Sequence, residues 1–511
     1  MYKTNPIMKM DFPEPDVICV EDAYYMISTT LHFRPGGVIL RSYDLQHWEI
    51  VSYLFDVLEG TPQERMQGEQ TAYARGMEHG RLYYQNGTFY ASFFSKWMDC
   101  TYLFSTKNIE GTWERHCISS PYYDGCLLFD DDNRVYIAFG HQKIWLTELL
   151  PDLSGPKPGG LQRLLIEDKD DVYVGYCGTR IYKINGSYYI FVMHWPRTGC
   201  ARKTQMCFVS DSLEGEFEGR EVLCDDAGYH NQGVAQGGLV QTPGGKWYAV
   251  LTQDYGAVGR FPMLVPVSFE GRFPEFGHNG RVPETLQLVA SRPYYPYEEL
   301  YTSDDFVYVP DKNGKIALRK QWQWNHQPDD RLWSILPGGG LCIRTAKISA
   351  NLIHAQNTLT QRMRWPESDA EVLVDARGLK EGDVAGISAF QGCYGLIGIT
   401  KETGNYYLVV IARDEEDAPE GDLSPDYLPG NLKDKIKLNG SVVRLRITAN
   451  FSDGKDVAKF YYEEDHKWKK AGRKHALCFK KDHLAGCRYG LFVYSTKQTG
   501  GEAVFSDFKY Y

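Results

Sequence analysis

Apolar and polar residues alternate with a period of two through most of the first 290 positions, in short runs that pair off around turn residues. "RLYYQNGTFYASFF" (81–94) and "RIYKINGSYYIFVM" (180–193) each set two such runs on either side of an Asn-Gly dipeptide. That dipeptide supplies the positive-φ positions of a type I′ turn, so both stretches predict β-hairpins. Looser versions recur in "EDAYYMISTT" (21–30), "NRVYIAFGHQ" (133–142) and "GKWYAVLTQD" (245–254). A second pattern trails several hairpins: "SYDLQHWE" (42–49), "STKNIEGTWE" (105–114) and "SDSLEGEFE" (210–218). Five hairpins about 45–65 residues apart, with a recurring outer-strand signature, predict a five-bladed β-propeller over residues 1–290. No long segment carries apolar residues at i, i+3, i+4 and i+7, so helices should be minor.

The pattern lapses in "VPETLQLVASRPYYPYEELYTSDDFVYVP" (282–310), a proline-containing stretch expected to link two domains and pack against both. Beyond it come "GKIALRKQWQWNH", "GGLCIRTAK", "AEVLVDARG", "GDVAGISAFQG", "NYYLVVIAR", "SVVRLRITANF", "VAKFYYEED" and "RYGLFVYST". Short alternating runs broken by Gly, Asn and Asp predict a β-sandwich, so residues 291–511 are read as linker plus sandwich and the whole chain as all-β.

Composition narrows the partners. Aromatics reach 14%, with 36 tyrosines in 511 residues. Strand propensity explains most of them, but flat apolar faces with polar rims also suit sugars. A net charge of −10 with no basic run argues against nucleic acid, and no stretch approaches the roughly 18 apolar residues of a membrane span. "MYKTNPIMKMDFPEP" lacks the apolar core of a signal peptide, so a cytoplasmic location is expected. The twelve cysteines show no metal-ligand spacing and are expected to be reduced thiols. No cofactor is expected. A homo-oligomer stays open.

In a propeller the innermost strands aim their starts at one central funnel, so the residues just ahead of each hairpin should meet there. These are Glu14 in "NPIMKMDFPEPDV", then Glu78, His79 and Arg81 in "MEHGRLYY". Asp124 follows in "YYDGCLLF", Cys177 and Arg180 in "GYCGTRIYK", and His230 and Gln236 in "HNQGVAQGG", with Arg260 in "GAVGRFP". Converging carboxylates in an aromatic-rich protein suggest acid–base hydrolysis of a glycoside. An inverting enzyme needs an acid for the leaving oxygen and a base for water, roughly 6.5–9.5 Å apart.

These motifs, with "FRPGGVILRSYDLQHWEI", "DGCLLFDDDNRVYI" and "GGLVQTPGGKWYAVLTQDYGAVGR", resemble glycoside hydrolase family 43, the β-xylosidase and α-L-arabinofuranosidase family. The segment "QWQWNH…NTLTQR…GDVAGISAFQGCYGLIGI" is similar to that family's concanavalin-like sandwich. The resemblance implies an exo-acting glycosidase for terminal pentoses or related sugars of plant-derived oligosaccharides. It also implies an aspartate base, an orienting aspartate and a glutamate acid. Here those positions carry Glu14, Asp124 and Cys177. A thiol is a poor proton donor beside a tuned carboxylic acid, so Glu78 becomes the candidate for a relocated acid. The alternative is a silent carbohydrate-binding relative.

Other readings stay open in the sequence. Glu14, Asp124 and Glu78 could be structural carboxylates paired with arginine, and Cys177 inert filler. "FDDDN" (129–133) could hold a structural calcium or be a solvated hairpin turn. His230 is read as a funnel histidine in preference to a metal ligand. Arg34, Arg180, Arg260, His79 and Gln236 are expected to contact substrate. Spare guanidinium charge among Arg34, Arg81, Arg180 and Arg260 would favour a uronic-acid-bearing sugar; the competing reading is that these arginines only neutralise the pocket's own carboxylates. "RKQWQWNH" and later loops are candidates to lend an aromatic to the pocket rim.

Overall fold

The computed structural model describes residues 3–95, 97–417, 427–478 and 484–511. Five four-stranded antiparallel sheets follow one another in the first part, each a meander in sequence order. Their innermost strands are Asp16–Val20, Glu78–Gln85, Cys126–Phe129, Val172–Ile184 and Ala235–Gln241. The five blades are those the hairpins predicted. Asn86 and Gly87 have φ of 51° and 74°, and Asn185 and Gly186 have 51° and 86°. These are the left-handed conformations a type I′ turn requires.

The outer-strand signature has a local cause. Ser42 Oγ accepts the Leu45 N–H at 2.8 Å, and Asp44 Oδ1 accepts those of Gln46 and His47. The turn is thereby tied to its own side chains, and the aromatic that follows drives inward: Trp48 and Trp113 are both buried. The ring closes through the N-terminal segment. Ile7 and Phe12 donate their N–H groups to Pro262 and Arg260 of blade five, and the Asn5 amide bonds both backbone groups of Leu264.

The second part is a sandwich of an eight-stranded and a seven-stranded sheet. A large apolar core that includes Val372, Ile387, Ile397, Leu445 and Leu491 lies between them. The eight-stranded sheet begins inside the propeller: Phe33–Arg34 pairs with Gln323–Asn325. The domains therefore share hydrogen bonds as well as an apolar contact. No strand among the described residues lies between Phe276 and Gln323. This link packs on both neighbours, through Arg292–Asp22 and Tyr295–Glu49 on one side and Asp304–Phe508 on the other. Among the described residues helix is limited to four 3-10 turns, and none is long and apolar enough to cross a membrane.

Two expectations are corrected. Trp322 and Trp324 of "QWQWNH" do not reach a pocket rim, because both are buried in the sandwich core and Trp322 Nε1 donates to Asp304. The cysteines are not all reduced, since Cys393 and Cys478 form a disulfide across 85 residues.

Candidate active site

The five innermost strands repeat one backbone feature at the funnel. Glu14, His79, Asp124, Gly178 and Gln236 all have positive φ, between 53° and 72°. One such residue falls at the same place in each blade. The pairing register slips there in blades two, four and five. A bulge of this kind bends a strand and re-aims a side chain, and non-glycine residues in this region cost about 1–3 kcal/mol each. Two residues further on, the next layer holds Asp16, Arg81, Cys126, Arg180 and Gly238, all buried.

In the deeper layer Arg180 Nε donates to Asp16 Oδ1 at 2.9 Å, and the other Asp16 oxygen accepts the Leu82 N–H. Gly238 faces that carboxylate, and a Cβ there would lie 2.3 Å from Asp16 Oδ1. Arg180 is 1% exposed. It is floor, and the expectation that it contacts substrate is corrected. Arg34 is corrected likewise: its Nη2 bonds Glu64 Oε1 at 2.8 Å in a pair almost wholly buried.

The upper layer holds Glu14, His79 and Asp124. Glu14 Oε1 accepts from Arg260 Nη1 at 3.0 Å, while Oε2 accepts from Thr29 Oγ1 at 2.7 Å and from the His79 N–H at 3.2 Å. Burial would raise this carboxyl, yet the charges of His79 and Arg260 hold it well below the usual carboxylate range. Asp124, with no exposed surface, accepts from Arg81 Nη2, from the Gly178 N–H and, at 3.3 Å, from the Thr179 N–H. His79 lies between them, its Nδ1 3.3 Å from Glu14 Oε2 and 3.7 Å from Asp124 Oδ1. Burial disfavours its charged form, but Glu14 and Asp124 prevail and push the imidazole up to about 9. It is cationic at neutral pH.

Cys177 stands beside Gly178 against Met193 and Ala235. Burial, Asp124 and Glu14 all push its thiol up, so it is a neutral SH and no nucleophile. Glu78 opens its strand half-buried, and its charge helps to lift His79. The Gln236 side chain lies over Gly178, where a Cβ would strike its Cγ at 2.6 Å. Arg260 also donates to the Leu484 carbonyl at 3.4 Å, bringing the sandwich to the funnel. Three carboxylates, Glu14, Glu78 and Asp124, thus face three cations, His79, Arg81 and Arg260, and the surplus of positive charge expected from the arginines is absent.

His230 is exposed on a turn, with its ring against Tyr229. In "FDDDN" the Asp130 carboxylate is bonded by Lys183 Nζ and Tyr188 Oη, both at 2.6 Å. These bonds tie the blade-three turn to the hairpin of blade four.

Residues 3–273 match the model of Glycosyl hydrolases family 43, and residues 314–511 match the beta xylosidase C-terminal Concanavalin A-like domain. The chain belongs to glycosyl hydrolase family 43. A beta-xylosidase from Formosa agariphila is 27% identical over 97% of this chain and 88% of its own. A non-reducing end alpha-L-arabinofuranosidase from Bacteroides ovatus is 25% identical over 65% of this chain and 62% of its own. A solved bifunctional GH43-CE protein from Bacteroides eggerthii superposes on the whole chain with a TM-score of 0.90 at 38% identity. This chain spans 64% of that protein's length.

Within this family 43 chain, sequence reading missed Thr29 and Thr252, which hold Glu14 from blades one and five. It also missed Asp16 and Glu64, the partners that take Arg180 and Arg34 out of play. A carboxylate two residues beyond Glu14, on the same side of a strand, was the available signal for Asp16.

Proposed function

We propose that this chain is an exo-acting, inverting glycosidase that removes a terminal pentose or related sugar from plant-derived oligosaccharides. The reading is carried by Glu14 and Asp124, held at the funnel in the base and orienting positions of the family and joined through His79. In this scheme Glu14 takes a proton from the attacking water, and Glu78, in its protonated form, donates one to the leaving oxygen. Asp124, fixed by Arg81 and two backbone N–H groups, sets the field around the sugar's reacting carbon. A carboxylate held as low as Glu14 is a weak base, so slow turnover is expected. Sugar release from a panel of pentose-capped oligosaccharides at high enzyme concentration tests this, with Glu14→Gln as control. Release by wild type that Glu14→Gln loses supports the assignment; equal release refutes it.

One observation favours a second reading, a relative that binds sugar without cleaving it. The family's acid position is a buried thiol that cannot donate effectively at neutral pH. Calorimetric binding of an oligosaccharide that the protein never cleaves would select that reading.

A further inference from the structure

Outside the funnel, one cluster of side chains has the chemistry of a metal site. The loop after the outermost strand of blade three, Gln162–Glu167, carries Asp168 and Asp170, and His194 lies near the end of Ser187–Pro196 in blade four. One ligand atom from each falls within 4.8 Å of the others. His194 Nε2 stands 3.6 Å from Asp168 Oδ2 and 3.7 Å from Asp170 Oδ2. Both separations are too long for a hydrogen bond. Two ligands on one zinc ion, each about 2.0–2.2 Å from it at a tetrahedral angle, lie about 3.4 Å apart.

His194 supplies the second observation. Its residue is 5% exposed, and Nε2 is buried with no hydrogen-bond partner among the described residues. A buried polar atom without a partner is costly, and this one is aimed at two carboxylates. The cluster is also built from within. Asp168 Oδ1 accepts the Asp170 N–H at 3.1 Å, and Oδ2 accepts the Tyr176 N–H at 3.2 Å. Each oxygen keeps lone-pair capacity. Asp170, with 69% of its side chain exposed, gives an ion a route from solvent.

We propose that Asp168, Asp170 and His194 bind one divalent ion of zinc-like character. An imidazole nitrogen with two carboxylates is a mixed donor set; calcium and magnesium prefer oxygen alone. Three protein ligands leave a position for water. The ion would tie the loop to the second strand of blade four and brace the strand that carries Tyr176, Cys177, Gly178 and Thr179. The sequence hid the site because its third ligand comes 24 residues after the second, on another element.

The test uses the full chain, stripped with a chelator and re-equilibrated separately with Zn²⁺ and Ca²⁺. One zinc per chain is expected by elemental mass spectrometry. Asp170→Asn should weaken zinc binding at least about tenfold, by the usual effect of disturbing a ligand set. Asp170 is at the surface, so that variant should fold. His194→Gln should lose the ion as well, and zinc should raise the wild-type Tm but not that of Asp170→Asn. Unchanged zinc affinity in Asp170→Asn, no bound zinc in wild type, or binding of Ca²⁺ in preference to Zn²⁺ would each overturn the proposal.

Discussion

His79 meets Glu14 twice: its backbone N–H donates to Glu14 Oε2 at 3.2 Å, and its Nδ1 lies 3.3 Å from the same oxygen. Each residue shifts the other, and their two contributions to stability depend on pH in opposite senses. The imidazole rises from its ordinary 6.5 to about 9 on folding. Its contribution is therefore complete below about pH 6.5 and is lost as pH climbs through 9. Glu14 is depressed from its ordinary 4.5, so its contribution is present above that value and is lost as pH falls through the folded one. Stability should peak between about pH 4.5 and 6.5 and decline on the alkaline side by roughly 3 kcal/mol at most. Urea unfolding from pH 6 to 10 measures it. His79→Gln should flatten that decline, and an unchanged slope would show that other groups cause it.

The proposed roles in catalysis separate by mutation. Glu14→Gln and Asp124→Asn should each lower kcat at least about a hundredfold, the usual scale of acid–base effects. Glu78→Gln should do the same if it is the donor. Cys177→Ala should change kcat only a few-fold, because a thiol whose pKa is raised by burial is a poor proton donor. Tm must be read in parallel, since Asp124→Asn also unpairs Arg81. Abolition by Cys177→Ala with Glu78→Gln intact would reverse the assignment of the acid.

The hairpins were legible because Asn-Gly turns and alternation are local properties, and they sufficed to count the blades. Which polar groups reach the funnel was partly legible, since chain order around a propeller places the start of each inner strand. The funnel's charge balance was not. Arg180 sits at the same strand position as Arg81, and Arg34 on the short strand Phe33–Arg34, but their partners Asp16 and Glu64 lie 164 and 30 residues away in sequence. The positive φ of Glu14 and Asp124 also has no signature in a single sequence. The Cys393–Cys478 disulfide escaped for a similar reason, because the strands that bring its ends together are distant in the chain.

Placing a carboxylic acid at Cys177, the position proposed for the family's acid, is a sharper test of the assignment. The surroundings of Cys177, namely burial and the charges of Asp124 and Glu14, oppose ionisation of whatever stands there. A glutamate in that place would feel the same field and stay protonated well above the ordinary carboxylate range, as a general acid must. Cys177→Glu should therefore raise hydrolysis of a natural, unactivated pentoside more than that of an activated aryl pentoside, whose leaving group needs little protonation. Equal gains on both, or none in a variant that folds, would mean that the substrate's leaving oxygen does not lie beside residue 177.

Pairing of the arginines decides the expected substrate charge. Arg34 is bound to Glu64 and Arg180 to Asp16, both out of solvent, while Arg81 and Arg260 hold Asp124 and Glu14. No guanidinium among these four is left over for a uronic acid. Neutral and uronic-acid-bearing oligosaccharides matched in length should then show similar kcat/KM, insensitive to salt from about 0.05 to 0.5 M, because steering by unpaired charge would be screened over that range. Arg180→Met should act on stability instead: stranding Asp16 in the buried layer costs on the order of 3–5 kcal/mol and leaves KM unchanged for the folded fraction. A uronic-acid preference of tenfold or more that disappears at high salt would restore a binding role to the arginines, and with it an acidic substrate.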